Sequence, residues 1–187
     1  MKIISHSFYA RDTVDVARDL LGKTLVRKIG NKMISGIITE TEAYRYKDDP
    51  ASHSFAGPTE RNKAMFGPVG IAYVYFTYGM HYCMNTVARG DNYEAGAVLI
   101  RALEPKEGLD FMMKQRKTNK ISNLTNGPAK LTRALQITKK QYGEDLTKPS
   151  SLFIVDGVKI KESDIIKRPR VGIKKATGKL WNFTMRN

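Results

Sequence analysis

The stretch YVYFTYGMHYCMN, at residues 73–85, constrains the fold of this chain more than any other segment. Successive side chains of a strand point to opposite faces, so Tyr73 and Tyr75 are expected on one face of a sheet. Gly79 adopts backbone conformations that are closed to most other residues, which permits a tight reversal of the chain. The stretch therefore predicts a β-hairpin with Tyr78 at or beside its tip.

Two interpretations of Tyr78 are open from these residues. A core tyrosine belongs in the middle of a strand, whereas the tip of a hairpin is usually in contact with water. An aromatic ring held at the tip is able to wedge between bases or to serve as a stacking platform for them. In the alternative, the ring folds back over the hairpin, and the two interpretations are about equally favoured.

The charge of the chain indicates the class of its partner. Lysine and arginine number 32 against 18 aspartates and glutamates, which gives a formal charge of +14. Such an imbalance favours a polyanion, with nucleic acid first and an anionic membrane second. The basic residues are dispersed without a polybasic block, which predicts a basic face on a folded domain and not a basic tail.

Other protein classes are disfavoured by the absence of their signals. No run is long and apolar enough to span a bilayer, and the segment MKIISHSFYA lacks the features of a secretion signal. Cys83 is the only cysteine, which excludes an intrachain disulfide. His6, His53 and His81 lack metal-ligand spacing with Cys83, and there is no P-loop and no dinucleotide-binding glycine motif. These residues therefore give no signal for a metal site or for a nucleotide cofactor.

Periodicity and turn signals predict one α+β domain over residues 1–187, built on a largely antiparallel sheet. Helices are expected at 11–23, capped by Asp12 or Thr13, at 106–116 and at 127–137, where Pro128 suits the first turn. Strands are expected at 24–29, 32–44, 73–85, 95–105 and 168–173. The segment 151–162 predicts a hairpin that turns at Asp156-Gly157.

The segment TETEAY, at residues 39–44, contains a candidate catalytic carboxylate. Regular alternation puts Glu40 and Glu42 on the same face as Ile38, which is a core candidate. An inward-pointing carboxylate is unfavourable unless it is paired or has a chemical function. One interpretation is a general base. The alternative is a pair of glutamates on the solvent-exposed face of an edge strand, which is the commoner case.

Eight segments that occur in order resemble the alkyladenine (3-methyladenine) DNA glycosylase family, also called methylpurine DNA glycosylase. They are ARDLLGKTLVRKI, GIITETEAY, ASHSF, RNKAMF, YVYFTYGMHYCMN, AVLIRALEP, NGPAKL and RVGI. The resemblance covers about residues 17–183. The combination of ETEAY, a following histidine and YVYxxYGMxxCMN is highly specific for that family.

The resemblance implies a fold, a reaction and a partner. The fold would be a single compact domain around a curved antiparallel sheet, with a protruding hairpin that inserts into DNA. The reaction would belong to base excision repair, in which an alkylated or deaminated purine is flipped out of the duplex and its N-glycosidic bond is hydrolysed. This hydrolysis leaves an abasic site and uses no cofactor. The partner would be double-stranded DNA, bound by a monomer. In a bacterium the protein would lie in the cytoplasm beside the nucleoid, and a nuclear location is the alternative.

The resemblance also assigns roles to individual residues. Glu42 would be the general base that activates the water, and Arg101 and the backbone of Val171 would help to hold that water. One carboxylate suffices because a methylated purine that carries positive charge is already a good leaving group.

Five further residues would contact the DNA. Tyr44, His53 and Tyr75 would form the pocket around the flipped base, and Asn85 would crowd the 2-position of the purine and disfavour normal guanine. Tyr78 would fill the gap that the flipped base leaves in the duplex.

Two segments depart from the family pattern. Trp181-Asn182 occupies the place of a proline-containing segment with an arginine before the phenylalanine, which we interpret as the change of a phosphate contact and not of the chemistry. The loop RYKDDPA is rich in lysine and aspartate, which predicts altered local DNA contacts. A basic nucleic-acid-binding protein without catalysis is the main alternative function, and a metal-dependent nuclease is the second.

Overall fold

One eight-stranded sheet organises the chain in a computed structural model that describes residues 2–186. The strands are β1 (Thr24–Ile29), β2 (Lys32–Arg45), β3 (Ala72–Thr77), β4 (His81–Val87), β5 (Gly96–Glu107), β6 (Leu152–Val155), β7 (Ile165–Arg168) and β8 (Asn182–Met185). The helices are α1 (His6–Tyr9), α2 (Thr13–Asp19), α3 (Leu109–Arg116) and α4 (Pro128–Ala134), with short 3-10 turns at Lys63–Phe66, Ile121–Asn123, Lys139–Gln141 and Glu162–Asp164.

The strand order is β3-β4-β5-β2-β1-β6. Beyond the end of its pairing with β1, β2 pairs instead with β8, which in turn pairs with β7. The pairings among the described residues are antiparallel. The predicted α+β class with a largely antiparallel sheet is therefore confirmed.

The three predicted helices are found as α2, α3 and α4. The carboxylate of Asp12 caps α2 by accepting the backbone N–H of Val14 at 2.8 Å, as expected for an N-cap aspartate. The hydroxyl of Thr41 on β2 donates to the carbonyl of Ala17 at 2.7 Å, which fastens α2 to the middle of the sheet. Pro128 begins α4, where a missing N–H carries no penalty.

The predicted hairpin at 151–162 is wrong. Only its first half is a strand, and this strand, β6, is buried at every position and pairs with β1. The polar segment VKIKE that follows is mostly exposed and forms no second strand against β6. The chain instead passes close to the loop after α2, where a Cβ on Gly157 would lie 2.2 Å from the carbonyl oxygen of Gly22.

The predicted strand at 168–173 is also wrong, because β7 ends at Arg168 and residues after it form a turn. Pro169 lacks the N–H that a strand ladder needs. Arg170 is buried against an aspartate, as described below, which ties the segment to the loop after β2 and not to a strand.

A β-bulge in β2 makes the predicted orientation of the glutamates wrong. Ile38 pairs with Leu103 of β5 and Glu40 pairs with the adjacent Ala102, which leaves Thr39 as an extra residue. A bulge interrupts the alternation of side chains along a strand. Ile38 is therefore in the core, whereas Glu40 accepts hydrogen bonds within a polar cluster. The alternative that the two glutamates lie on the exposed face of an edge strand is wrong as well, since β2 is paired on both sides.

Candidate active site

A pocket of about 420 Å³ opens beside the β3–β4 hairpin. Its aromatic residues are Tyr44, His53, Tyr73, Tyr75 and Tyr78. The His53 ring meets the Tyr75 ring edge to face at a centroid distance of 4.7 Å, and its Nδ1 lies 3.0 Å from the Tyr73 hydroxyl. The three residues that the resemblance assigned to a base pocket are thus brought together.

A guanidinium fixes the Tyr75 ring from outside this pocket. Arg61 lies 5.1 Å from the Tyr75 centroid and lines a neighbouring depression that does not include His53. Partial burial, and then the charge of Arg61, lower the pKa of His53 below its ordinary value of 6.5. The imidazole that faces the pocket is therefore neutral at pH 7.

Behind the pocket wall, Glu42 is fully buried and accepts four hydrogen bonds. Its Oε1 accepts the Val171 backbone N–H at 2.7 Å and the Asn182 amide at 3.0 Å. Its Oε2 accepts the Tyr44 hydroxyl at 2.8 Å and an Arg101 N–H at 3.3 Å. A carboxylate has about four acceptor positions, so the protein itself fills the capacity of Glu42.

A second bulge, on β5, positions Arg101. Glu40 pairs with Ala102 and Thr41 pairs with Ile100, so Arg101 is the extra residue between them. From there its guanidinium reaches both carboxylates, at 2.9 Å from Glu40 and 3.3 Å from Glu42. Bulges are common beside active sites because they redirect a side chain in this way.

Tyr44 connects this carboxylate cluster to the pocket. Its ring lines the pocket while its hydroxyl donates to Glu42. Burial, followed by the negative charge of Glu42 and this hydrogen bond, raises the pKa of Tyr44 far above its ordinary value. The hydroxyl therefore stays protonated and acts as a donor.

The Val171 N–H is held in place by its neighbour. Arg170 forms a two-pronged ion pair with Asp49, in which both side chains are fully buried, and donates to the Ala43 carbonyl at 2.8 Å. Its guanidinium also lies 4.6 Å from the Tyr44 ring centroid. Asp49 belongs to the loop that was expected to alter DNA contacts, and this expectation is wrong for Asp49, which is a buried structural group.

The position of Asn182 corrects the expectation that the departure at Trp181-Asn182 affects only a phosphate contact. The residue is buried, and its amide donates to Glu40 at 2.7 Å as well as to Glu42 at 3.0 Å. It is therefore part of the carboxylate cluster, so the departure is not confined to a phosphate contact. Trp181 packs beside the site, with Arg45, Arg170 and Lys179 over its ring.

The hairpin tip carries the exposed Tyr78. The last pair of the ladder is Thr77 with His81, and the Met80 N–H closes the turn onto the Thr77 carbonyl at 3.2 Å. Tyr78 and Gly79 both have positive φ, of 51° and 66°. Tyr78 is 87% exposed, so its ring does not fold back over the hairpin.

The remaining predicted residue, Asn85, is buried in the pocket wall opposite Tyr73 in the β3–β4 ladder. Its amide N–H donates to the Tyr73 carbonyl at 2.9 Å. Cys83 also lines the pocket as a free thiol, and burial raises its pKa.

Three residues of the site were not identified as such from sequence: Asp49, Arg170 and Asn182. A weak signal existed for Arg170, which lies in the segment RPRVGI beside Val171. For Asp49 the surrounding charges indicated a surface loop. Within residues 2–186, no group of three or more histidine, cysteine, aspartate or glutamate side chains is arranged to hold a metal ion, and no helix could cross a bilayer.

Comparison with known proteins identifies the family. A family model described as methylpurine-DNA glycosylase matches residues 7–187. A protein of Carboxydothermus hydrogenoformans is 46% identical to this chain, over 99% of the chain and 96% of that protein. A protein of Prosthecochloris aestuarii is also 46% identical, over 95% of the chain and 85% of that protein, and one of Clostridium acetobutylicum is 43% identical, over 98% and 93%. Each is provisionally named a 3-methyladenine DNA glycosylase. The chain therefore belongs to the methylpurine-DNA glycosylase family.

Proposed function

We propose that this chain is a monofunctional DNA glycosylase of base excision repair, acting as a single-domain monomer on chromosomal DNA in the bacterial cytoplasm. It would flip alkylated or deaminated purines out of duplex DNA and hydrolyse their N-glycosidic bond. The observation that carries the proposal is the buried Glu42, which is surrounded by donors directly behind an aromatic pocket. A hairpin at the rim of this pocket presents an exposed tyrosine.

The reaction assigns Glu42 the role of general base. Its carboxylate takes a proton from water, the water oxygen bonds to C1′ of the sugar, and the bond between C1′ and the purine nitrogen breaks. The bonding electrons leave with the base, and in a cationic methylpurine they neutralise its charge. The transition state resembles an oxocarbenium ion, which a nearby carboxylate stabilises electrostatically.

Access of water to Glu42 requires one of its four hydrogen bonds to open. The Arg101 contact is the longest, at 3.3 Å, and Arg101 keeps a second partner in Glu40 at 2.9 Å when it is released. We infer that the attacking water enters between Arg101 and Oε2 of Glu42, within reach of the segment at Val171. In this proposal Arg101 and Val171 would lie beside the water, which is the role that the family resemblance implies for them.

The pocket suits a positively charged purine. The faces of Tyr44 and Tyr75 attract a cation, which is worth about 0.5–2 kcal/mol for each favourable contact. His53 does not oppose this attraction, since its lowered pKa keeps it neutral at pH 7. Behind the wall, two carboxylates face one guanidinium, so the cluster carries one net negative charge. Asn85 would exclude guanine by occupying the space of its 2-amino group.

Tyr78 would stabilise the flipped state by occupying the stack that the purine leaves. The exposed ring at the tip, held by a backbone of positive φ that is unfavourable for tyrosine, supports this role, since strained residues concentrate at functional sites. Extrusion costs a few kcal/mol and less for a damaged or mispaired base, which contributes to selectivity.

The alternative of a basic binding protein without catalysis does not account for the carboxylate cluster. Such a protein needs Lys, Arg and exposed rings but has no use for a buried glutamate with four donors beside a pocket. The two functions differ in one observable, the release of a free base.

The test is release of 3-methyladenine from methylated duplex DNA by the purified chain, with and without EDTA. We expect release at the same rate in both conditions, together with abasic sites in equal number. Binding to the DNA without release of base would support the non-catalytic alternative. Loss of activity in EDTA, with cleavage of the strand, would indicate a metal-dependent nuclease.

A further inference from the structure

Asn182 is the shared donor of two carboxylates, the buried Glu42 and the half-buried Glu40. It is the first residue of β8, and its cross-strand neighbour on β2 is Glu42 itself. The same amide nitrogen reaches Glu40 Oε1 at 2.7 Å and Glu42 Oε1 at 3.0 Å. Two carboxylates this close repel each other unless donors lie between them. Asn182 provides one such donor and Arg101 the other.

The orientation of the amide is fixed from the opposite side. The Thr184 hydroxyl donates to Asn182 Oδ1 at 3.1 Å, and Thr184 is the cross-strand neighbour of Glu40. With its oxygen engaged by a donor, the amide turns its N–H groups toward the glutamates. The arrangement runs from Thr184 through Asn182 to both carboxylates.

We propose that Asn182 and Glu40 are positioning residues for Glu42, with opposite effects on its charged form. This inference rests on the proposed glycosylase function and deepens it. Asn182 favours the ionised carboxylate of Glu42 by donating to it, whereas Glu40 opposes ionisation by its own negative charge. Glu40 also keeps Arg101 beside Glu42 when water replaces the longer contact.

The other groups around Glu42 come from four further parts of the fold. They are Tyr44 on β2, Arg101 on β5, Cys83 on β4, and Arg170 with the Val171 N–H after β7. These groups stay the same when Asn182 is substituted, and in Glu40→Gln the amide oxygen still accepts the Arg101 N–H, so Arg101 keeps its place while the negative charge is lost. The direction of a change in the pH–rate profile therefore reports the substituted group.

The experiment measures single-turnover release of 3-methyladenine from methylated duplex DNA between pH 3.5 and pH 9, so that the titration range of a carboxylate is included, with release in an enzyme-free sample subtracted at each pH. This lesion carries a fixed positive charge, so the acid limb of the profile follows the base on the enzyme. For Asn182→Asp and Asn182→Ala we expect the acid limb to move to higher pH by about one unit, which is about tenfold slower release at a fixed acidic pH. For Glu40→Gln we expect the limb to move to lower pH.

Two controls keep the result specific. Asn92→Asp makes the same charge change in an exposed loop and should leave the profile unchanged. Thr184→Val removes only the hydroxyl that orients the amide and should move the limb in the direction of Asn182→Ala, by a smaller amount. If Asn182→Asp fails to fold, as judged by circular dichroism, Thr184→Val still tests whether the Asn182 amide sets the position of the acid limb.

Slower release with unmoved acid limbs in the Asn182 and Thr184 variants would overturn the proposal, because a purely structural role lowers the rate at every pH. Movement of the Glu40→Gln limb to higher pH would overturn it as well. Absence of release by the wild-type chain at every pH would be a different result, since it contradicts the glycosylase function itself.

Discussion

At the scale of single residues, the position of Glu42 supports its proposed role as the general base over a purely structural role. Both oxygens are fully engaged, yet three of the donors, Tyr44, Arg101 and Val171, also line the pocket. A purely structural ion pair would not need to lie behind a cavity of about 420 Å³. Removal of its charge should therefore affect the reaction more than the fold.

Glu42→Gln should lower the rate of base release by about 10²–10⁴-fold, which is typical for loss of a general base. Binding to lesion-containing duplex should persist, because Glu42 is buried and does not contact the DNA surface. Single-turnover release and a binding titration on the same duplex measure the two effects. Glu107→Gln, on an exposed position of β5, is the matched control. Parallel loss of binding and release would indicate a structural glutamate.

Much of the site could be predicted from sequence because its residues lie in short, distinctive segments. Glu42 and Tyr44 come from ETEAY, and Arg101 from LIRALEP. Asn182 and Asp49 could not be placed, since their partners lie 140 and 121 residues away along the chain. An aspartate in a charged loop is usually solvated, and only the tertiary fold brings Arg170 to it.

At the scale of elements, local signals predicted the helices and the β3–β4 hairpin, whereas irregular pairing was not predictable. Bulges at Thr39 and Arg101 have no marked sequence signal, but they redirect Glu40 and Arg101 toward one another. The failed hairpin at 151–162 has a related cause. A turn sequence such as Asp156-Gly157 is sufficient for a local reversal but does not provide a buried partner strand.

The hairpin tyrosines should differ in function because they differ in position. Tyr78, at the tip, is 87% exposed, while the Tyr75 ring packs against His53 in the pocket. Tyr78→Ser should slow excision of hypoxanthine opposite thymine, because the flipped state loses part of a stacking contribution of about 1–3 kcal/mol. The same substitution should affect excision of an unpaired hypoxanthine in a bulge much less. Tyr75→Ala should impair both. Equal losses for Tyr78→Ser in the two contexts, with unchanged fluorescence of flipped ethenoadenine, would argue against a wedge.

The segment after β7 depends on the buried pair of Asp49 and Arg170. Asp49→Asn leaves a fully buried guanidinium without its counter-charge, which should lower the free energy of unfolding by about 3–5 kcal/mol. Because Arg170 adjoins Val171, release of base should also fall. Urea denaturation measures the first effect. Glu60→Gln, in an exposed pair with Lys63, should leave stability unchanged, and an equally stable Asp49→Asn would refute the anchoring role.

At the scale of the whole molecule, one sheet brings distant parts of the chain to the pocket. β2 contributes the glutamates, β5 contributes Arg101, and β8, at the far end of the sequence, contributes Asn182. The order of these strands could not be predicted from sequence, because three of the seven pairings within residues 2–186, β1 with β6, β2 with β5 and β2 with β8, join segments far apart in the chain. The composition, by contrast, predicted a property of the whole surface, namely its positive charge.

The formal charge of +14 predicts that binding to undamaged duplex depends steeply on salt. Each phosphate that the protein neutralises releases counterions and contributes about −0.9 to the slope of log affinity against log salt concentration. Lys174 is exposed and lines the pocket mouth, so it should contact the phosphate backbone near the flipped base. Lys174→Gln should therefore weaken binding and reduce the steepness of the slope by about 1.

The matched control is Lys148→Gln, which removes the same charge at the other end of the hairpin strand. Lys148 pairs with Asp145, and Asp145 bridges to Ile71, next to the start of β3. At about 3.3 Å per residue, this end of β3 lies roughly 20 Å from the tip that carries Tyr78. The slope for Lys148→Gln should equal that of the wild type. A flat salt response of the wild type would mean that the basic residues face away from DNA, and equal slopes for both variants would show that the pocket mouth is not in contact with phosphate.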